Sequence, residues 1–198
     1  MIKMESDEGK HEIRIIDTTG NPAPLGLLAF GMTTVMLNLH NAGLFALGSM
    51  IFAMGIFYGG IAQIIAGIME WKKNNTFGTL AFISYGFFWI SLVGLIVMPK
   101  LGMSDVFGKM DFLAFLGIWG LFSFVMWIIT WRIGMALNVV FGLLVLLFLL
   151  LIIGNATGNI LILTIAGIEG IICGLSAMYA GLGQVMNEVY KEKVINLG

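Results

Sequence analysis

Few side chains in this sequence can do acid–base, nucleophilic or ligand chemistry. Two histidines, His11 and His40, and one cysteine, Cys173, cannot build a metal centre or a disulfide framework within one chain, so neither a metal nor a cofactor is expected. The sequence has no Gly-x-Ser-x-Gly elbow, no His-Glu-x-x-His and no phosphate loop, so an enzyme is not expected either. Two features remain. Glu169 is the one formally charged side chain well inside an apolar run, where a carboxylate costs roughly 2.5–3.5 kcal/mol and usually faces a cavity or a partner. It is a candidate proton-responsive group, with a neutral carboxyl packed against a neighbouring helix as the alternative. The other feature is Asn21-Pro22-Ala23-Pro24-Leu25-Gly26. Asn21 suits an N-cap and Pro22 the first helical position, so a helix starts sharply here and its unpaired amides carry about half an elementary positive charge. Such an end can hold a carboxylate or simply cap a helix, and both readings stand. Thr33, Thr34, Gln63, Ser49, Ser84, Ser91 and Tyr85 add polar handles that serve equally for hydrogen bonds between helices.

The elements that carry these residues follow from composition. Of 198 residues 59% are hydrophobic and 11% charged, too few charges to cover a water-exposed surface, so lipid must solvate most of the chain. Ten dispersed cations make no basic stripe, which excludes nucleic-acid binding as a main role. Uncharged runs long enough to cross a bilayer read as six spans: Leu25–Leu39, Leu44–Met69, Thr76–Met98, Phe112–Trp131, Ile133–Gly154 and Ile160–Met186. The runs are continuous rather than alternating, so the expected fold is an all-α membrane protein, a compact bundle of six transmembrane helices. Residues 1–20 read as an amino-terminal tail, 21–187 as the membrane domain and 188–198 as a carboxy-terminal tail. With both tails cytoplasmic, Lys3, Lys10, Arg14, Lys72, Lys73, Arg132, Lys191 and Lys193 lie inside, against Lys100 and Lys109 outside. That asymmetry orients the chain as a multi-pass protein of the cell membrane with both termini cytoplasmic.

No lysine or arginine falls within a span, so an anion crossing this protein is held by helix ends, amides and hydroxyls rather than by a buried cation. Small residues form faces on the second span (Gly55, Gly59, Gly60, Ala62, Ala66, Gly67) and the sixth (Gly167, Gly170, Gly174, Ala177, Gly181), serving either the bundle itself or self-association. Many spans with little material outside them point to transport. An Asn-Pro-Ala triplet also occurs in water and glycerol channels, but those use two, and this chain has the single one at Asn21.

The signature extends further. Asn21-Pro-Ala-Pro-Leu-Gly-Leu27, Phe30-Gly-Met-Thr-Thr34, Leu37-Asn-Leu-His-Asn41, Phe57-Tyr-Gly-Gly-Ile-Ala-Gln63, Asn75-Thr-Phe-Gly78 and Ser84-Tyr-Gly86 closely resemble the acetate uptake transporter family, the succinate–acetate permease group also called GPR/FUN/YaaH. The resemblance runs from Asn21 to about Glu188. It implies a six-span protomer, assembled as a homohexamer, that moves acetate and other small carboxylates such as succinate as an anion channel or with protons. It also implies an apolar constriction that maps onto Phe30, Tyr85 and, by counting along the fifth span, Leu144. Asn21 to Gly26, Thr33, Thr34 and Gln63 are the expected substrate contacts, with Tyr85 offering a phenolic donor. Glu169 departs from the bacterial pattern, which is apolar there. Two other classes are a membrane metabolite sensor without flux and a channel for small neutral solutes.

Overall fold

In hydrocarbon a backbone must satisfy its own hydrogen bonds, and the long apolar runs do so as helices. The computed structural model describes residues 2–5 and 14–198, with side-chain surroundings from Thr18 onward. Much of the expected amino-terminal tail, Lys10 included, lies outside the described residues. Within that tail Ile2–Glu5 (β1) pairs antiparallel with Arg14–Asp17 (β2). The remaining architecture is six helices long and apolar enough to cross a membrane: α1 Ala23–Asn41, α2 Ser49–Lys72, α3 Thr76–Lys100, α4 Lys109–Thr130, α5 Met135–Thr157 and α6 Ile160–Tyr190.

Local chemistry sets the boundaries, and it moves some of them from the hydropathy reading. The second helix begins at Ser49 rather than Leu44. Gly43, with φ +85°, ends α1 in the left-handed conformation, and the Leu44 amide donates back to the Leu39 carbonyl at 3.0 Å. This is the glycine-terminated helix stop, and it holds an apolar stretch out of the next helix despite its hydropathy. Asn75 caps α3 by accepting from the Gly78 amide at 3.0 Å, and Asn159 caps α6 by accepting from Leu161 at 2.9 Å. The carboxy-terminal segment is tied down. Asn187 exchanges two hydrogen bonds with the Ile195 backbone, both 2.8 Å, and the Leu197 carbonyl accepts from the Ala136 amide at 2.9 Å, satisfying an otherwise orphan donor at the start of α5.

The small-residue faces go into the bundle. On α6, Gly174 lies so close to α1 that a Cβ there would stand 2.6 Å from the Gly31 carbonyl oxygen, and a Cβ on Gly31 would stand equally near the Gly174 carbonyl. One turn outward Gly170 receives the Asn38 side chain, and towards the other end Gly181 faces Pro24 and Leu27. On α2, Gly59 sits under Thr33 of α1, while Gly55, Gly60 and Gly67 sit under Val93, Ile90 and Ile83 of α3. The second helix carries a π-helical stretch, Met54–Ala62, that widens each turn by one residue. This stretch turns Gly59 and Gly60 inward and Phe57 outward.

The α1–α6 contact leaves no room for a methyl group. Gly174→Ala is therefore expected to lower the melting temperature of the detergent-solubilised protein by several degrees, the range of a ~1–3 kcal/mol overpacking cost. Gly117→Ala, at a glycine with open space around it, is expected to leave melting unchanged. Equal melting of the two variants would show that the close contact carries no weight.

Candidate functional site: a path closed by an aromatic constriction

Three alternate helices bring the expected constriction residues together. Phe30 on α1, Tyr85 on α3 and Leu144 on α5 are all buried and line one narrow cavity of about 70 Å³. The Phe30 and Tyr85 ring centroids lie 5.9 Å apart, and Tyr85 also packs against Phe122 at 5.4 Å and Phe141 at 6.0 Å. Past Tyr85 the aromatic cluster continues through Phe88 and Trp119, 5.2 Å apart, so the closure is several rings thick. None of these extra aromatics stands out in the sequence, because an apolar ring in an apolar span carries no distinguishing pattern.

The tyrosine hydroxyl is already engaged. Tyr85 Oη lies 2.8 Å from Ser123 Oγ, and Ser123 Oγ donates to the Trp119 carbonyl at 2.8 Å. This chain is satisfied when Tyr85 donates to Ser123 and Ser123 to the carbonyl. The phenolic proton expected to face a carboxylate is therefore committed to α4. A lone serine in an apolar span gives the sequence no sign of this partnership.

On one side of the constriction the cavity extends towards the start of α1, where Ala23 and Leu27 line it. Gln63, 1% exposed, lines it with its side-chain oxygen unpartnered, and Asn75 and Gln184 line it nearer the mouth. Gln63 follows directly on the π-helical stretch, which aims it inward. Two side-chain bonds close the rim: Asn21 donates to Gln184 at 2.9 Å, and Asn75 donates to Glu70 at 2.7 Å. Beyond the rim a basin of about 400 Å³ opens, lined by Asn21, Pro22, Glu70, Lys73, Asn75 and Glu188. Asn75 borders both spaces, so the rim is one layer of side chains, three amides and the Glu70 carboxyl.

The other expected contacts are dispersed. Asn21 accepts from the Ala23 amide at 3.1 Å and, with Pro22, faces the basin; Ala23 and Leu27 face the cavity. Pro24, Leu25 and Gly26 line neither space, and Gly26 instead makes room for the Phe82 ring. Thr33 and Thr34 are buried, line neither of these two spaces and have no hydrogen-bond partner for their hydroxyls among the described residues. Glu169 is 8% exposed, lines neither the cavity, the basin nor the vestibule beyond the constriction, and has no partner for either carboxylate oxygen among the described residues. Its titratable neighbour on α6 is Cys173, one turn away, whose thiol lies 3.7 Å from the Val140 carbonyl of α5.

Beyond the constriction a vestibule of about 690 Å³ opens between the ends of α1, α3 and α5 and the starts of α4 and α6, lined by Leu37, Phe88, Leu92, Leu116 and Leu151 together with His40 and Lys100. Basin, cavity, aromatic closure and vestibule follow one another along the bundle. Among the described residues, no cluster of histidine, cysteine and carboxylate side chains is suited to hold a metal ion.

Comparison with known proteins places this arrangement. The family model for the GPR1/FUN34/yaaH family matches residues 9–195. The succinate-acetate/proton symporter SatP of Escherichia coli strain K12 is 53% identical over 178 residues, 90% of this chain and 95% of that protein. The ammonia transport outward protein 2 of Saccharomyces cerevisiae is 37% identical over 167 residues, 80% of this chain and 59% of that protein. The structure of the bacterial acetate channel SatP superposes with a TM-score of 0.89 at 52% identity, covering 91% of this chain and all of that one. By sequence over nearly its whole length and by its six-helix fold, this multi-pass membrane protein belongs to the GPR1/FUN34/yaaH family.

Proposed function

We propose that this protein moves acetate, and succinate as a further substrate, across the cell membrane along the path from basin to vestibule, with Phe30, Tyr85 and Leu144 as its gate. The observation that carries the reading is the meeting of these three side chains around one cavity, in a fold shared with an acetate channel. A closely packed aromatic ring excludes hydrated ions by dewetting and yields to a small carboxylate whose methyl group it can contact. Moving a bare carboxylate through hydrocarbon is prohibitive, and the amides of Gln63, Asn75 and Gln184 replace part of its water shell on the way to the gate. Both tails face the cytoplasm in this reading, so the basin is the inner mouth and the vestibule the outer one. The chain works as a homohexamer, its small-residue faces spent inside the protomer and its large apolar faces left for neighbours and lipid.

Labelled acetate uptake into proteoliposomes tests the function. Saturable uptake is expected, with Phe30→Ala raising flux severalfold and admitting bulkier carboxylates; absence of protein-dependent flux would overturn the reading. Uptake driven by membrane potential at equal pH marks anion conduction, whereas a requirement for a pH gradient marks proton coupling.

Tyr85 acts as a wall of the gate. Tyr85→Phe is expected to keep at least about half of the wild-type flux, because the lost bond is to Ser123 rather than to substrate. A near-complete loss would return the phenol to substrate binding.

Glu169 has a packing role in this reading, since the titratable groups bordering the path are Glu70, Lys73 and Glu188 at one mouth, Tyr85 within, and His40 and Lys100 at the other. Glu169→Gln is expected to leave the pH profile of acetate flux in place, and Glu169→Leu to raise thermal stability by removing a buried carboxyl whose oxygens have no hydrogen-bond partner among the described residues. A displaced profile would make Glu169 a proton site.

A further inference from the structure

The vestibule is far larger and more apolar than acetate requires. At about 690 Å³ it is roughly ten times the cavity on the other side of the closure, and its walls are leucine, isoleucine and phenylalanine. Acetate carries one methyl group and leaves most of that wall bare. Lys100 is the one charged residue that lines this space, and no aspartate or glutamate does. Its ammonium stands 5.5 Å from the centroid of the Phe52 ring on α2, a cation–π contact. Phe88 and Leu116 line the vestibule, and both belong to the buried hydrophobic core that also holds Phe30, Tyr85 and Leu144.

We propose that the vestibule is a binding site for medium-chain monocarboxylate anions, the carboxylate at Lys100 and the alkyl chain laid along Leu92, Leu95, Leu116 and Leu151. A negative head and an apolar tail match a single cation at the rim of an apolar chamber. Each buried methylene adds about four-fold to affinity, so binding rises steeply with chain length while the chamber has wall left to cover. The same length stops passage, because the floor opens only onto the packed rings of Phe88, Tyr85 and Trp119. A bound octanoate therefore plugs the route that acetate uses. The binding itself does not need transport; only the plugging rests on the proposed function.

Equilibrium binding of labelled octanoate to the whole protein in lipid nanodiscs, with empty nanodiscs subtracted, tests the site without any flux measurement. Saturable binding is expected, with octanoate tighter than butanoate by on the order of 100-fold across four methylenes. Lys100→Met is expected to weaken octanoate about five-fold, Lys100→Arg to retain it, and binding of uncharged octan-1-ol to survive both changes, which also reports an intact chamber. Leu95→Trp, which narrows the chamber beside the alkyl track, is expected to weaken both ligands. Binding no greater than in empty nanodiscs, or equal octanoate affinity in Lys100→Met and wild type, would overturn the proposal. If octanoate binds as expected but acetate flux persists undiminished in its presence, the site stands and the shared route does not.

Discussion

The back-to-back contact of α1 and α6 is the constraint on which the rest of the structure depends. At Gly31 and Gly174 each backbone occupies the place where the other would carry a side chain. Without a hydrophobic driving force between helices in lipid, such contact is what dispersion needs to hold a bundle. It seats α1, and α1 carries both the Asn21 helix start and, one residue before Gly31, the Phe30 ring. Any widening of that contact would draw Phe30 away from Tyr85. The two glycines thus set the closure of the path although neither borders it.

The electrostatic design follows from what the spans leave out. With no lysine or arginine buried along the proposed path, a carboxylate taking it would meet neutral amides, then rings, then a wide apolar chamber. A buried cation would bind the anion tightly and slow its release. Amides give partial charges that replace water without trapping the ion, which suits passage better than storage. Among the residues lining these spaces, cations stand at the two mouths: Lys73 in a basin it shares with Glu70 and Glu188, and Lys100 at the vestibule.

The π-helical stretch in α2 shows how local backbone geometry serves this arrangement. It contains Phe57-Tyr-Gly-Gly-Ile-Ala and hands over to α3-facing and path-facing residues at once. An ordinary helix through the same residues would carry the register of Gln63 away from the cavity. The signature motif there was readable as a string of letters, but its wide turn depends on the packing of Gly59 and Gly60 under Thr33 and Ile90.

Six spans and the absence of an internal cation were legible in the sequence, because each is a matter of composition and run length that tertiary packing does not alter. Phe30 and Tyr85 were legible through the motifs that flank them, and they do share a cavity with Leu144. Helix starts were legible less well: Leu44 to Gly48 are apolar enough for a span, yet the left-handed turn at Gly43 keeps them out of one. Thr33 and Thr34 fall in the signature and still miss the path, because a polar side chain at a helix interface and one at a cavity have the same spacing. The commitment of the Tyr85 proton to Ser123, the amide rim joining Asn21 to Gln184, and the isolation of Glu169 were decided only in three dimensions. Each joins or separates residues tens of positions apart, and hydropathy along a chain holds no information about which helices turn which faces to one another.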